Sequence, residues 1–400
     1  MRLLLLSFYF PPDLSAGSFR MAALVKALQA AGGDDLHIDL ITSMPNRYST
    51  HLSSAEPEET APGLSIRRIT LPDHSSGMTD QAKSFAAFAR KASAMTKGTH
   101  WDLVFATSSR LMTAALGAHI ARRAAVPFYL DIRDLFTDTM SNLLAQSQVR
   151  HLLPIFKILE RRTLQQAQRV NVVSEGFLNH MRGIVPQQEF RAFTNGVDRE
   201  FLDADFRARA TRPRISPVIL YAGNMGEGQG LHHVVPELAL RLKGKARLRL
   251  LGDGGRRTQL EEAVRAAGCD NIELFPPIAR TALLSEYRAA DVLFLHLNDH
   301  AAFHKVLPSK IFEYAATGKP ILAGVPGYAA RFLQTHVRGS AVSSPCDPSA
   351  LARSAIDLLD GPAHWERHEF RNTFARDRIM AEMAKDILAM PLTPHKGHLR

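Results

Sequence analysis

The sequence predicts an α/β protein built as two doubly wound domains that face each other across a cleft. Three observations carry that prediction. Short, continuous apolar runs alternate with stretches of helical period, the pattern of a parallel sheet covered on both faces. The alternation lapses around residues 194–217 and then restarts. At 400 residues the chain is too long for one ordinary domain, and its 46% apolar and 22% charged residues are those of a globular protein.

The elements follow in order. RLLLLSFY opens the chain as a strand buried on both faces; the loop FPPDLSAGS follows, and FRMAALVKALQAAG keeps helical spacing up to Gly32 and Gly33. HIDLITS, LSIRRITL, DLVFATS, VPFYLDI and RVNVVS continue the strands, most of them separated by helix-like segments such as MTAALGAHIARRA. TNGVDREFLDADFRARATRPRISP has turn residues, scattered charge and no period, so it reads as a linker. PVILYAG, ARLRLLGDGG, NIELFPP, DVLFLHL, KPILAGV and SAVSS supply a second set of strands. A long helix-like stretch, HWERHEFRNTFARDRIMAEMAKDILAM, comes last.

Composition narrows the function. A net charge of +10 admits nucleic acid, an anionic membrane surface or phosphorylated small molecules as partners. Basic residues are dispersed through both halves with few interleaved aromatics, which disfavours nucleic acid. The two cysteines, Cys269 and Cys346, fit a reducing compartment and neither a disulfide framework nor a zinc site. His232 and His233, and the tail pair His395 and His398, lack carboxylate or cysteine spacing and read as surface residues rather than metal ligands. No nucleophile elbow of the Gly-x-Ser-x-Gly type is present. The opening apolar run is short and breaks at Pro11 and Pro12, and no apolar stretch reaches the roughly 18–20 residues of a spanning helix. The expected location is cytoplasmic, with peripheral attachment to the inner face of the cell membrane left open. In VRHLLPIFKILERR (149–162), Val149, Leu152, Phe156 and Leu159 share a helical face, with Arg150, Lys157 and Arg161 opposite. That pattern suits a helix lying on an anionic membrane, and equally a surface helix packed on a core and kinked at Pro154.

Ligands of doubly wound sheets bind beyond the carboxyl ends of the strands, where helix starts attract anions. SFYFPPDLSAGSFR places Gly17 and Ser18 at such a start, where an anionic group could approach the backbone; a plain turn capped by Ser18 explains the same residues. YAGNMGEGQGL (221–231) is glycine-rich after a strand but matches neither the dinucleotide fingerprint nor a P-loop. FHKVLPSKIFEYAATGKP (303–320) is more informative. Pro308 suits a first helical turn, Gly318 a C-cap, and Pro320 forbids continuation, so a helix is expected from about Pro308 to Thr317. Ser309 and Lys310 then lie at its positive end, with Glu313 one turn later. A diphosphate on the helix end and a ribose on the carboxylate would use all of these; a solvated Lys310–Glu313 pair is the other reading.

Taken together, SFYFPPDLSAGSFR, VSEGF, TNGVD, YAGNMGEGQGL, LLGDGG and LPSKIFEYAATGKPIL resemble the retaining GT-B-fold glycosyltransferases of family 4. The branch most similar builds bacterial surface polysaccharides and includes N-acetylfucosaminyl transferases acting on lipid-linked acceptors. The resemblance implies an acceptor-binding Rossmann-like domain at 1–197 and a nucleotide-sugar domain at 198–362. Residues 363–400 are implied to form a helix returning to the first domain, and a tail. It further implies that Glu313 binds the nucleotide ribose, that the amides of Ser309 and Lys310 hold the diphosphate, and that Gly17 closes on the phosphates and donor sugar. Arg133 and Asp134, in LDIRDLF, stand where relatives place His-Asp near that sugar. No metal or other cofactor is implied. The donor is a nucleotide sugar of UDP type, carrying a hexose or an N-acetylated deoxyhexosamine, and the acceptor is a polyprenyl-diphosphate-linked saccharide of O-antigen, capsule or exopolysaccharide synthesis. A GT-B-fold nucleotide-sugar epimerase and a non-catalytic nucleotide-sugar-binding subunit are the alternatives.

Three positions depart from the family pattern. The glutamate expected at 305 is Lys305, and the arginine and lysine that grip the diphosphate are Asn224 and Gln229. Leaving a diphosphate without counter-charge is costly, so Lys305, with Lys310, is expected to supply the displaced cation and to assist departure of the leaving group.

Overall fold

The computed structural model describes residues 1–392 apart from Leu14 and residues 46–54, 73–77, 109–110, 139–150 and 208–215. The chain divides into two compact units, Met1–Asn195 with Arg376–Arg400, and Gly196–Ala375.

Among the described residues the first unit holds an eight-stranded sheet. Its strands are β1 (Arg2–Leu6), β2 (His37–Ser43), β3 (Glu58–Ala61), β4 (Leu64–Ile69), β5 (Leu103–Thr107), β6 (Phe128–Ile132), β7 (Arg169–Val172) and β8 (Phe190–Arg191). They are ordered β3-β4-β2-β1-β5-β6-β7-β8. All pairings are parallel except that of β3 with β4. The central strands are as apolar as their sequence demands: Leu3, Leu4, Leu5 and Leu6 are fully buried. The short polar strand β3, EETA, is exposed at every residue and escapes a reading based on apolar runs.

The first helix, Ala16–Gly32, begins earlier than its periodicity suggests. Ser15, and not Ser18, is the N-cap: its hydroxyl accepts the Ser18 N–H at 3.1 Å. Against this helix packs the final one, Arg376–Leu388, whose Met380, Met383, Ala384 and Ile387 share a core with Met21, Leu24, Val25 and Leu28. The return to the first unit therefore comes at Arg376 rather than at 363. Residues 363–375, with the short helix His368–Thr373, stay with the second unit.

An ion pair anchors the centre of the first unit. Arg20 and Asp131 are both fully buried and meet through two bonds, Nε to Oδ2 and Nη2 to Oδ1, each 3.0 Å. Arg20 also donates to the carbonyls of Thr194 (2.6 Å) and Phe193 (2.8 Å), and Asn171 Nδ2 donates to Asp131 at 2.7 Å. Every polar group of this cluster that lies in the dry core is thus matched, which is the condition for burying charge.

In the helix Leu153–Gln166 Pro154 occupies the first turn, so it starts the helix rather than kinking it. Glu160, Thr163 and Leu164 point inward, and Phe156 packs edge-on against Phe136 at 5.8 Å. The exposed apolar residues are Leu152 (46%), Ile155 (62%) and Ile158 (53%), so the outer face differs from the one drawn through Phe156 and Leu159. Val149 and Arg150, like His395 and His398, lie outside the described residues. No helix among the described residues is long and apolar enough to cross a membrane.

The second unit holds β9 (Val218–Ala222), β10 (Arg247–Leu251), β11 (Ile272–Phe275), β12 (Val292–His296), β13 (Ile321–Gly324) and β14 (Ser340–Ser343). They form a parallel sheet in the order β11-β10-β9-β12-β13-β14. The stretch that reads as a linker in sequence belongs to this unit: Val197, Phe201 and Phe206 are buried in its core, and Arg199–Asp203 is a helix turn. Both sheets reverse their strand order once at the centre, between β1 and β5 and between β9 and β12. Those reversals are the places where the fold leaves a crevice for ligands.

Candidate functional site

In the second unit the loops after β9 and β12 meet at the reversal. Asn298, just past β12, donates its N–H to the Gly228 carbonyl at 2.8 Å and its Nδ2 to the Glu227 carbonyl at 3.2 Å. A methyl group on Gly228 would lie 2.9 Å from the Phe303 ring, so glycine permits this close approach.

His296, hidden in the apolar run VLFLHL, ties the same loops together. Its Nδ1 donates to the Gln229 carbonyl at 2.6 Å, and its Nε2 accepts the Cys346 N–H at 3.0 Å. The two partners fix the neutral tautomer with hydrogen on Nδ1. Burial, only partly offset by the Gln229 bond and reinforced by nearby His233, pushes the imidazole down to about 4. Unfolded, the ring binds its proton near pH 6.5, so acid favours the unfolded chain. His296 therefore contributes its full stability above pH 6.5 and loses it as pH falls from 6.5 to 4, by on the order of 3 kcal/mol. Urea unfolding of the wild type and His296→Asn across that range checks this. The variant should be weaker at pH 7.5 with a shallower acid slope; parallel curves would dismiss the assignment.

Asn224 and Gln229 sit together on the glycine-rich loop and engage each other. Asn224 Nδ2 donates to Gln229 Oε1 at 2.7 Å, and the Gly226 N–H donates to the same oxygen at 3.2 Å. A lysine at 229 could accept neither bond. The loop's own carboxylate, Glu227, is bound by Arg256 at 2.6 Å. Burial raises that carboxyl, but Arg256 outweighs it and holds it below the ordinary range.

The helix expected from Pro308 to Thr317 runs Lys310–Ala316, with Ser309 at its N-cap position and Gly318 beyond its end at φ 75°. Its C-terminal carbonyls are covered by cations. Buried Arg367 donates to Ala315 (3.1 Å) and to the Lys319 (3.0 Å) and Arg338 (2.8 Å) carbonyls, and Arg371 donates to Ala316 (3.1 Å). At its start Lys310 does pair with Glu313, Nζ to Oε2 at 2.6 Å, in a pocket where the carboxylate side chain is only 13% exposed. Tyr287, from the helix Arg280–Ala289, donates to the same oxygen at 3.0 Å and accepts from Lys310 at 3.0 Å. Burial alone would raise the Glu313 carboxyl. The charges of Lys310 and Arg280, with the bonds from Lys310 and Tyr287, outweigh it and hold Glu313 below the usual carboxylate range. Lys305 ends the short 3-10 helix Ala301–Lys305, half-buried, on the same β12 loop; its neighbour His304 is bound to Asp299 at 2.8 Å.

In the first unit Gly17 and Arg133 come together. A methyl group on Gly17 would fall 1.9 Å from Arg133 Nη1, so the guanidinium lies directly on the glycine at the helix start. The backbone N–H of Arg133 is held by the Ser108 hydroxyl at 3.2 Å, at the end of β5. The Ser18 hydroxyl is fully buried and has no hydrogen-bond partner among the described residues. Asp134, next to Arg133, is exposed. Sequence reasoning singled out Gly17, Ser18, Arg133, Asp134, Asn224, Gln229, Lys305, Ser309, Lys310 and Glu313, and missed Asn298, Arg256, Tyr287 and His296. Tyr287 is brought to Glu313 by the sheet order, and His296 is one polar letter in an apolar strand. Among the described residues no group of three or more His, Cys, Asp or Glu side chains is placed to hold a metal ion.

Two units, each with a doubly wound and largely parallel sheet, define a two-domain protein of the Rossmann-like α/β class. Residues 17–196 match the family model described as Glycosyl transferase 4-like domain, and residues 203–377 match Glycosyl transferases group 1. Between them the two matches take in most of the chain, which belongs to the family-4 glycosyltransferases. The Escherichia coli K12 protein named "Putative colanic acid biosynthesis glycosyl transferase WcaI" is 24% identical over 285 residues, 67% of this chain and 69% of that protein. Among solved structures, sucrose-phosphate synthase of Thermosynechococcus elongatus superposes with a TM-score of 0.75 at 19% identity, covering 96% of this chain and 97% of that one. HepE of Anabaena in complex with UDP-glucose gives 0.65 at 16% identity, covering 98% of this chain and 100% of that one. WaaG, a glycosyltransferase involved in lipopolysaccharide biosynthesis, gives 0.63 at 12% identity, covering 96% of this chain and 95% of that one. The fold is GT-B.

Proposed function

We propose that the protein transfers a sugar, with retention, from a UDP-type nucleotide donor to a polyprenyl-diphosphate-linked saccharide during assembly of a bacterial cell-surface polysaccharide. One observation carries the donor half: Ser309, Lys310, Glu313, Lys305 and the glycine-rich loop all follow the two strands that flank the reversal of the second sheet. The diphosphate takes the start of the helix Lys310–Ala316, and the ribose takes Glu313. The solved structure of HepE with UDP-glucose and the name of WcaI support the donor class and the polysaccharide setting. The transferred sugar is a hexose or an N-acetylated deoxyhexosamine.

In this reading the bond from the anomeric carbon to the diphosphate breaks while the acceptor oxygen bonds to the same face. The acceptor proton passes to the departing phosphate oxygen. Lys305 and the helix start stabilise the charge that develops there, and no metal is required. For the first unit the reading assigns Gly17 to the donor phosphate and sugar, and Arg133 and Asp134 to orienting donor or acceptor. Asn224 and Gln229 shape the glycine-rich loop without adding charge.

The protein works at the inner face of the cell membrane. Ile155 and Ile158 stand exposed on the helix Leu153–Gln166 and Leu152 at its N-cap, with Lys157, Arg161 and Arg162 exposed beside them. Apolar residues flanked by cations suit an anionic lipid surface. Co-sedimentation with vesicles of phosphatidylglycerol should fall at least several-fold in Ile155→Asp/Ile158→Asp; equal binding would discard this face.

The deciding experiment offers a panel of nucleotide sugars with polyprenyl-diphosphate saccharides and reads the products by mass spectrometry. A mass gain of one sugar on the acceptor is expected. Free altered sugar without acceptor would mean an epimerase, and donor binding without product on any acceptor would mean a binding subunit.

A further inference from the structure

The group that stands out beside the proposed donor seat is Tyr287. It is fully buried and held between Phe201 (5.8 Å) and Tyr314 (5.4 Å, edge-on). Its hydroxyl closes a three-membered ring: it donates to Glu313 Oε2, accepts from Lys310 Nζ, and Lys310 itself donates to Glu313 Oε2. Among the described residues nothing hydrogen-bonds Glu313 Oε1.

We propose that Tyr287 is a positioning residue that commits Glu313 to the donor's ribose and so makes the site select ribonucleotides over 2′-deoxyribonucleotides. The proposal rests on the donor reading above. A vicinal diol offers two hydroxyl donors, whereas the ring leaves one carboxylate oxygen ready and the other carrying two donors. When Lys310 turns to the diphosphate, one acceptor position on Oε2 opens for the second hydroxyl. Without Tyr287 that move would strip Oε2 of both its donors in a nearly enclosed pocket, a cost of the kind that buried unpaired carboxylates incur. With Tyr287 in place, Oε2 keeps one donor and the carboxylate keeps its orientation. Burial, with the nearby charge of Glu313, holds the Tyr287 phenol well above its ordinary value, so it remains a donor throughout the working pH range. Ribose and diphosphate recognition are thereby coupled through Lys310, and only a sugar with both hydroxyls uses the second acceptor.

Calorimetric titration of UDP, 2′-deoxy-UDP, GDP and 2′-deoxy-GDP into the wild type, Tyr287→Phe and Lys310→Met tests this. The wild type should favour one ribonucleotide over its deoxy form by about ten-fold or more. Tyr287→Phe should weaken the ribonucleotide several-fold and leave the deoxy form nearly unchanged, drawing the ratio towards one. Lys310→Met should weaken both members of the pair and keep a preference for the ribonucleotide. A merely structural tyrosine would weaken both nucleotides alike, and an unchanged ratio in Tyr287→Phe would refute the proposal. Equal binding of ribo and deoxy forms by the wild type would refute it too, while leaving the donor reading intact. If the wild type bound none of the four, the donor reading would fall and this proposal with it.

Discussion

Lys305→Ala should lower turnover on the nucleotide-sugar donor by about 10²–10³-fold, the range seen when one preorganised group opposite developing charge is removed. The expectation follows from the position of Lys305 and from the groups that surround the proposed seat. Asn224 and Gln229 are neutral and hydrogen-bonded to each other, and Glu227 is held by Arg256. Lys310 is bound to Glu313 and Tyr287 before any ligand arrives. On the proposed function a diphosphate leaves from that seat and needs a cation, and Lys305 stands on the loop that leads into the helix start. Lys305→Arg should retain most of the activity, because the charge survives on a longer arm. Steady-state kinetics with donor affinity measured separately decide the matter: an alanine variant with unchanged kcat/KM and donor Kd would end the argument for Lys305.

The largest effect on stability is expected at Arg20. Arg20→Met removes one half of a fully buried pair, leaving Asp131 with Asn171 as its remaining side-chain donor, the Thr194 carbonyl without its side-chain donor and the Phe193 carbonyl with Asn171 alone. Such a loss costs about 3–5 kcal/mol. Asp131→Asn in the same chain removes the stranded charge, so the double variant should recover part of that loss. Denaturant unfolding of the wild type, both single variants and the double completes the cycle. Strictly additive losses would mean that the two side chains do not stabilise each other. Because Asp131 lies two residues before Arg133, loss of the pair should also loosen the strand end that places the guanidinium on Gly17.

Much of this architecture was legible because parallel strands buried on both faces write themselves as apolar runs, and β1, β5, β6, β9 and β12 are of that kind. The helix at 310 was legible from its punctuation, Pro308 before it and Gly318 after it. Three features were not. The polar edge strand β3 leaves no apolar trace. The segment 196–207 looks like a linker because its anchors, Val197, Phe201 and Phe206, have no period, and their burial depends on a sheet that comes later in the chain. In the helix Leu153–Gln166 apolar residues occur on two faces, and only packing decides that Phe156 turns inward and Ile155 outward. The site shows the same division. Loop residues announced themselves by composition, while Tyr287 meets Glu313 only because strand order brings two helices together.

The last helix carries a consequence for synthesis. Chains leave the ribosome amino end first, and domains commonly fold in that order. Here the second unit is one uninterrupted segment, whereas the first needs Met380, Met383, Ala384 and Ile387 to cover Leu24, Val25 and Leu28. Residues 196–375 therefore emerge with everything their core requires while the earlier unit is still waiting for its closing helix. The half begun first is completed last, and a nascent chain stalled between Asn195 and Arg376 leaves the apolar face of its oldest helix without the closing helix.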